Sequence, residues 1–187
     1  MYFELPSARH AMAIRSIGLF VLAISISVTA ISCRQSSTKD VAQERDCVPR
    51  VELANLRLLV AAWQGSVEEM DAMIKAGADV NTLDSLLGTP VVAAAESGNY
   101  KAVALLLDKG ANVNATDNDG YTALMKASLK SKSDIVRLLI SKGSDVNASC
   151  YPLINGKRTS KFTALLFARW KKNEEIVRLL TEAGAKE

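Results

Sequence analysis

"TPVVAAAESGNYKAVALLLDKGANVNA", Thr89 to Ala115, reads as two short helices and a turn. Thr89 followed by Pro90 is a helix start: a threonine oxygen accepts a backbone N–H, and proline suits the first turn, where its missing N–H is not needed. "VVAAAES" is short and rich in alanine, so a second helix can approach it closely. "KAVALLL" carries apolar residues at helical spacing. "DKG" ends that helix, because Gly110 can take the left-handed conformation that closes the last turn. "ANVN" then leaves the helix, and Asn114 can hydrogen-bond the turn backbone.

The stretch recurs. Gly77, Gly110 and Gly143 are spaced by 33, as are Asn81, Asn114 and Asn147, and Thr89 and Thr122 are 33 apart. Gly184 follows Gly143 by 41, and Thr163 follows Thr122 by 41, so one insertion of eight residues accounts for both longer steps. A period of 33 with a T-P-L-like start and a G-A-D-V-N-like end resembles the ankyrin repeat. The resemblance covers about residues 51–187. It implies an all-α solenoid of helix–turn–helix units with projecting β-hairpin-like fingers.

Four units are expected, at about 51–82, 83–115, 116–148 and 162–187. One unit cannot bury its own apolar face, but four stacked units can. The first and last are atypical. Leu56 stands at the threonine site, as a capping repeat allows, and "EAGAKE" exposes charge at the far end. The family's histidine in T-P-L-H is absent, with Val92, Met125 and Leu166 in its place. Ser131 and Lys172 stand where the earlier units have Gly65 and Gly98.

The insertion lies within 149–161, "SCYPLINGKRTSK". Asn155-Gly156 is a strong two-residue hairpin signal. Tyr151, Leu153 and Ile154 precede it, and Lys157 and Arg158 follow. An elongated hairpin finger between the third and fourth repeats is expected. The alternative is a tolerated surface insertion, since loops accept length at little cost.

Residues 1–32 read as a signal peptide: Arg15 precedes an uncharged run from Ile17 to Ile31. A spanning helix needs about 20 apolar residues, so an ordinary transmembrane anchor is disfavoured. "AISC", Ala30 to Cys33, resembles the bacterial lipoprotein signal, in which the cysteine is acylated and becomes the new N-terminus. The alternative is soluble secretion after cleavage near Ser32. Met12 offers a second start, from which the lipoprotein signal is already complete. Arg34 after Cys33, in place of an inner-membrane aspartate, implies by resemblance the outer membrane, facing the periplasm. Residues 33–50 are then a flexible polar tether. Acylation of Cys33 leaves Cys47 and Cys150 as an even pair, available for a disulfide in an oxidising compartment.

Composition narrows the function classes. The chain is 49% hydrophobic and 5% aromatic, so its core is expected from Ala, Leu, Val and Ile, and a net charge of +3 is too small to argue for a nucleic-acid binder. The one histidine, His10, lies in the removed segment. That excludes a Ser-His-Asp site, a Cys-His nucleophile and a histidine-bearing zinc site. Glu68, Glu69 and Asp71, like Glu174 and Glu175, fall at helix starts, where acids favour the dipole. "TDNDG", Thr116 to Gly120, lacks the downstream ligands of a calcium loop and reads as a finger turn. No catalytic residue, metal site or cofactor is expected. The chain is not expected to be an enzyme.

The resemblance implies a protein partner, bound by finger tips and the exposed face of each first helix. Seven positions after the threonine site come Trp63, Glu96, Leu129 and Trp170. One position before it come Gly88, Tyr121 and Phe162, and three before it Leu86 and Asp119. The expected partner-binding residues are Trp63, Leu86, Tyr121, Leu129, Phe162, Trp170 and Lys171, with Tyr151, Lys157 and Arg158 from the insertion. Exposed aromatics anchor interfaces; the alternative is that the tryptophans shield the stack ends. Lys130, Arg169 and Lys172 lie close by, so the C-terminal half of the face is expected to be basic, suiting an acidic partner surface or lipid phosphates. Contact with a membrane is expected only through the N-terminal lipid. The role that fits is an immunity-type inhibitor of a toxin in the periplasm. An envelope scaffold or chaperone-like partner of a resident enzyme, and a host-directed secreted effector, are the alternatives.

Overall fold

The short helices come in pairs, as the period requires. The computed structural model of the chain describes residues 50–151, 153–154, 157–158 and 161–186, all within one compact unit. Its helix pairs are α1 (Arg50–Gln64) with α2 (Val67–Lys75), α3 (Pro90–Ser97) with α4 (Tyr100–Asp108), α5 (Ala123–Leu129) with α6 (Ser133–Ser141), and α7 (Ala164–Trp170) with α8 (Glu174–Glu182). The first helices pack in one row, α1 on α3 on α5 on α7, and the second helices in another, α2 on α4 on α6 on α8. The signal peptide, Cys33 and Cys47 lie outside the described residues.

Helices of seven to nine residues do not persist alone in water, where about 12–15 are needed even for good formers. Stacking supplies what propensity cannot. Leu58, Leu106, Leu124, Ile135, Leu139, Ile176 and Leu180 are fully buried between layers. Between the first helices the filler is small: Ala61, Ala62, Ala94, Ala95, Ala127 and Ala168 are all fully buried. Without long side chains between them, the backbones can come close.

Hydrogen bonds tie each layer to the next. The Asn81 Oδ1 accepts the Asn112 backbone N–H at 2.7 Å, Asn114 accepts that of Asp145 at 2.8 Å, and Asn147 that of Lys186 at 2.7 Å. The asparagines thus serve the following repeat. Within each turn a second bond recurs, from Asn81 N to Asp79 Oδ1, Asn114 N to Asn112 Oδ1 and Asn147 N to Asp145 Oδ1. The first repeat has no asparagine ahead of it. Its equivalent donor, Asp79 N, is taken instead by Asn55 Oδ1 of α1, at 2.8 Å.

Some local expectations change. Leu56 is not at a helix cap: α1 already runs from Arg50, so Leu56 is a mid-helix residue. Thr122 and Thr163 cap their helices by accepting Met125 N and Leu166 N. Thr89 does not, and its buried hydroxyl has no partner among the described residues. Ser131 and Lys172 hold φ of 57° and 54°, the left-handed conformation that Gly65 and Gly98 hold at 79° and 81°. The turn between paired helices demands that conformation whichever residue is present.

The insertion forms two short antiparallel ladders. β1 (Ser149–Cys150) pairs with β4 (Phe162–Thr163), and β2 (Leu153–Ile154) with β3 (Lys157–Arg158). The Asn155-Gly156 turn lies outside the described residues.

Two measurements check this account. Ser131→Gly should stabilise the protein by about 0.5–1 kcal/mol, the left-handed penalty relieved less the flexibility glycine adds to the unfolded chain. Asn114→Ala should destabilise it by about 1 kcal/mol, the worth of one partly exposed inter-repeat hydrogen bond. Urea unfolding of each variant reads both.

Candidate functional site

The first-helix face carries one charge that the repeat pattern does not predict. Lys126, four residues after the capping Thr122, occupies a place held by Ala93 in the preceding repeat and Phe167 in the following one. Its side chain is nearly buried. The Nζ lies 3.1 Å from Glu96 Oε2, on the preceding repeat, and 3.0 Å from Asp117 Oδ2, in its own finger. It also sits 4.6 Å above the Tyr121 ring. Burial pulls the Lys126 pKa down, but the Glu96 and Asp117 carboxylates outweigh it and hold the ammonium above its ordinary range. Lys126 is therefore a cation locked in the stack. Its position was legible as an off-pattern lysine among small and apolar residues; its partners were not, because both come from other elements.

Asp117 is the organiser of that finger. Its Oδ1 accepts the backbone N–H of Asp119 at 3.0 Å and of Tyr121 at 2.8 Å, while Oδ2 meets Lys126. The finger ahead repeats the motif, with Asp84 Oδ1 accepting Leu86 N and Leu87 N. Asn118 Nδ2 donates to Asp84 O at 2.7 Å, joining the two fingers. Gly88 lets them approach: a Cβ there would lie 2.7 Å from the Asp117 Cβ.

The aromatics divide into two groups. Tyr121 and Phe162 are half-buried. Both pack on Phe167 of α7, with ring centroids 5.8 Å and 5.2 Å away. The β1–β4 ladder sets Phe162 opposite Cys150, which brings the ring onto Phe167 and roots the hairpin in the stack. Burial pushes the Tyr121 phenol up to about 12. Trp63 and Leu129 are also half-buried. Leu86, Tyr151 and Trp170 are exposed, Leu86 at 80% and Trp170 at 46%. Lys171 Nζ lies 4.7 Å over the Trp170 ring. Lys157 and Arg158 are placed in β3 by backbone alone, and their side chains lie outside the described ones.

Lys130, one of the lysines expected on the basic side of the face, lies near a carboxylate. Glu96 engages both Lys126 and Lys130, the latter at 3.8 Å. Lys171 and Lys172 in the last repeat remain exposed. Among the described residues no group of three His, Cys, Asp or Glu side chains is placed to hold a metal ion.

Residues 58–150 match the family model of ankyrin repeats, in three copies. The fold is an ankyrin-repeat solenoid. The match stops at Cys150, where the insertion begins, yet α7 and α8 extend the two helix rows as a fourth layer. Ankyrin repeats are generally protein–protein interaction modules, and such domains are typically non-catalytic. None of the curated proteins matches the chain.

Cys150 is a free thiol, 3% exposed. Cys47, its expected partner, lies outside the described residues. Burial, seconded by the Asp117 carboxylate, pushes the Cys150 thiol up to about 11. A raised acid favours the neutral form in the folded state, so its stabilising effect fades as pH climbs from 9.0 toward about 11. In reduced native protein at pH 8, alkylation at Cys150 should run roughly 100-fold slower than at an ordinary thiol, and should accelerate toward pH 11. Site-resolved mass spectrometry of the labelled protein measures both.

Proposed function

We propose that this ankyrin-repeat protein is exported, anchored by lipid on Cys33 to the outer membrane facing the periplasm, and there occludes a protein partner without catalysis. The single observation that carries the binding site is Trp170: a large ring, 46% exposed on the last first-helix, under the Lys171 ammonium. A tryptophan left in water offers apolar area at little entropic cost, and such residues dominate interface energetics. Lys126 and Lys130 are engaged by Glu96, and beside Trp170 exposed positive charge sits at Lys171 and Lys172. The partner surface is therefore apolar at its centre and acidic beside it, and it meets the fourth repeat first. Leu86 and Tyr151, exposed near the fingers, extend the contact.

The anchoring rests on Arg15, the uncharged run Ile17 to Ile31, and "AISC". No helix among the described residues is long and apolar enough to cross a membrane. The role we infer is immunity: a rigid surface tethered in the periplasm that blocks an incoming toxin. Occlusion needs shape and charge, and no reacting group.

In-cell crosslinking of the full chain, followed by purification and mass spectrometry, tests this. Wild type is compared with a Trp170→Ala, Lys171→Glu variant shown by circular dichroism to fold. One protein recovered by wild type and lost by the variant is the expected result, with a toxin as its identity. A resident enzyme in that place refutes immunity but keeps the site. Equal recovery by both chains refutes the site. Fractionation of the same cells decides the location: recovery of the chain outside the outer membrane overturns the anchor.

A further inference from the structure

The two ends of the stack are not finished alike. Between layers, Val92 and Met125 are each 1% exposed, because the next repeat covers them. Leu166 holds the same place in the last repeat and is 44% exposed. Val103 and Val136 are fully buried, whereas Val177 at that place is only partly so. Around Val177 lies an open depression of about 600 Å³, edged by Lys172, Glu174, Arg178, Thr181 and Glu182. At the opposite end, Leu56 of α1 is exposed. So is Ala72 of α2, where Leu105, Leu138 and Leu179 are part-covered by the repeat before them.

Ion pairs also cross the junctions, at repeat positions that differ from one junction to the next. Each junction carries an ion pair from its second helices or the residue just past them: Asp71 with Lys109 at 3.3 Å, Asp108 with Lys142 at 2.8 Å, and Arg137 with Glu175 at 2.9 Å. In the last of these, the fifth residue of α6 meets the second residue of α8. Arg178 is the fifth residue of α8, and Glu68 is the second residue of α2. Both are exposed; among the described residues Arg178 pairs with Glu182, at 3.9 Å, on its own helix.

We propose that the open face of the last repeat receives the first repeat of a second copy of this chain, so that the array continues from one molecule into the next. Leu166 and Val177 take the cover that Met125 and Val136 already have, and Arg178 meets Glu68 as Arg137 meets Glu175. The contact joins two different surfaces, so it repeats head to tail and yields chains longer than dimers. It uses the end of the stack and adjoins the partner site around Trp170, with Lys172 at the edge of both.

The test places a photo-crosslinking amino acid at position 166 of the full chain, irradiates intact cells and maps the adducts by mass spectrometry. The expected result is a ladder of chain-to-chain adducts joining position 166 to residues 51–75 of another copy. Arg178→Glu should lower their yield at least about threefold, as loss of an exposed ion pair and gain of repulsion require. Adding Glu68→Arg to that variant should restore it. Circular dichroism of both exposed-site variants guards against misfolding. Absence of chain-to-chain adducts overturns the proposal. So does an adduct joining position 166 to itself, an unchanged yield with Arg178→Glu, or a loss that Glu68→Arg does not restore.

Discussion

The fold depends on one constraint: a pair of short helices, seven to nine residues each apart from the fifteen of α1, cannot bury its own apolar face. Each layer is stable only against its neighbours. The alanines between the first helices and the leucines and isoleucines beneath them are effective because adjacent layers repeat the same geometry. That is why a period of 33 governs the glycines, asparagines and threonines alike. It also explains why strain is tolerated. Ser131 and Lys172 adopt a glycine conformation because both flanking helices are held by the stack, and the turn between them has no other path.

The edges of the layers are held by polar groups that cross from one repeat to the next. Asn81, Asn114 and Asn147 each accept a backbone N–H from the following turn. In the first described repeat Asn55, from α1, supplies the same bond to the Asp79 N–H. Lys126 shows a different solution. A buried ammonium is costly unless paired, and Glu96 and Asp117 pair it from two other elements. The same contacts neutralise positive charge in the middle of the first-helix row, while Lys171 and Lys172 in the last repeat stay exposed.

The insertion interrupts the period without interrupting the stack. Its base is a strand pair, Ser149–Cys150 with Phe162–Thr163, and Thr163 resumes as the cap of α7. Phe162 and Tyr121 pack on Phe167, so the finger is rooted by buried aromatic area. This root half-buries two of the rings, while Trp170 and Tyr151 stay exposed.

The sequence alone determined the architecture. Local signals and a recurring offset are enough for that, because each repeat contacts its neighbours in one register and the spacing of Gly110, Asn114 and Thr122 states that register outright. It also located the insertion and its hairpin character. The tertiary structure decided which residues of the face remain available. Trp63 and Leu129 share a repeat position with the exposed Trp170, and only contacts from other elements separate the half-buried from the exposed. Likewise no spacing rule could say that Lys126 is spent on Glu96 and Asp117 while Lys171 lies over Trp170. Secondary structure in a solenoid is set by neighbours along the chain; exposure is set by side chains that arrive from the next layer, and those meet only once the layers have stacked.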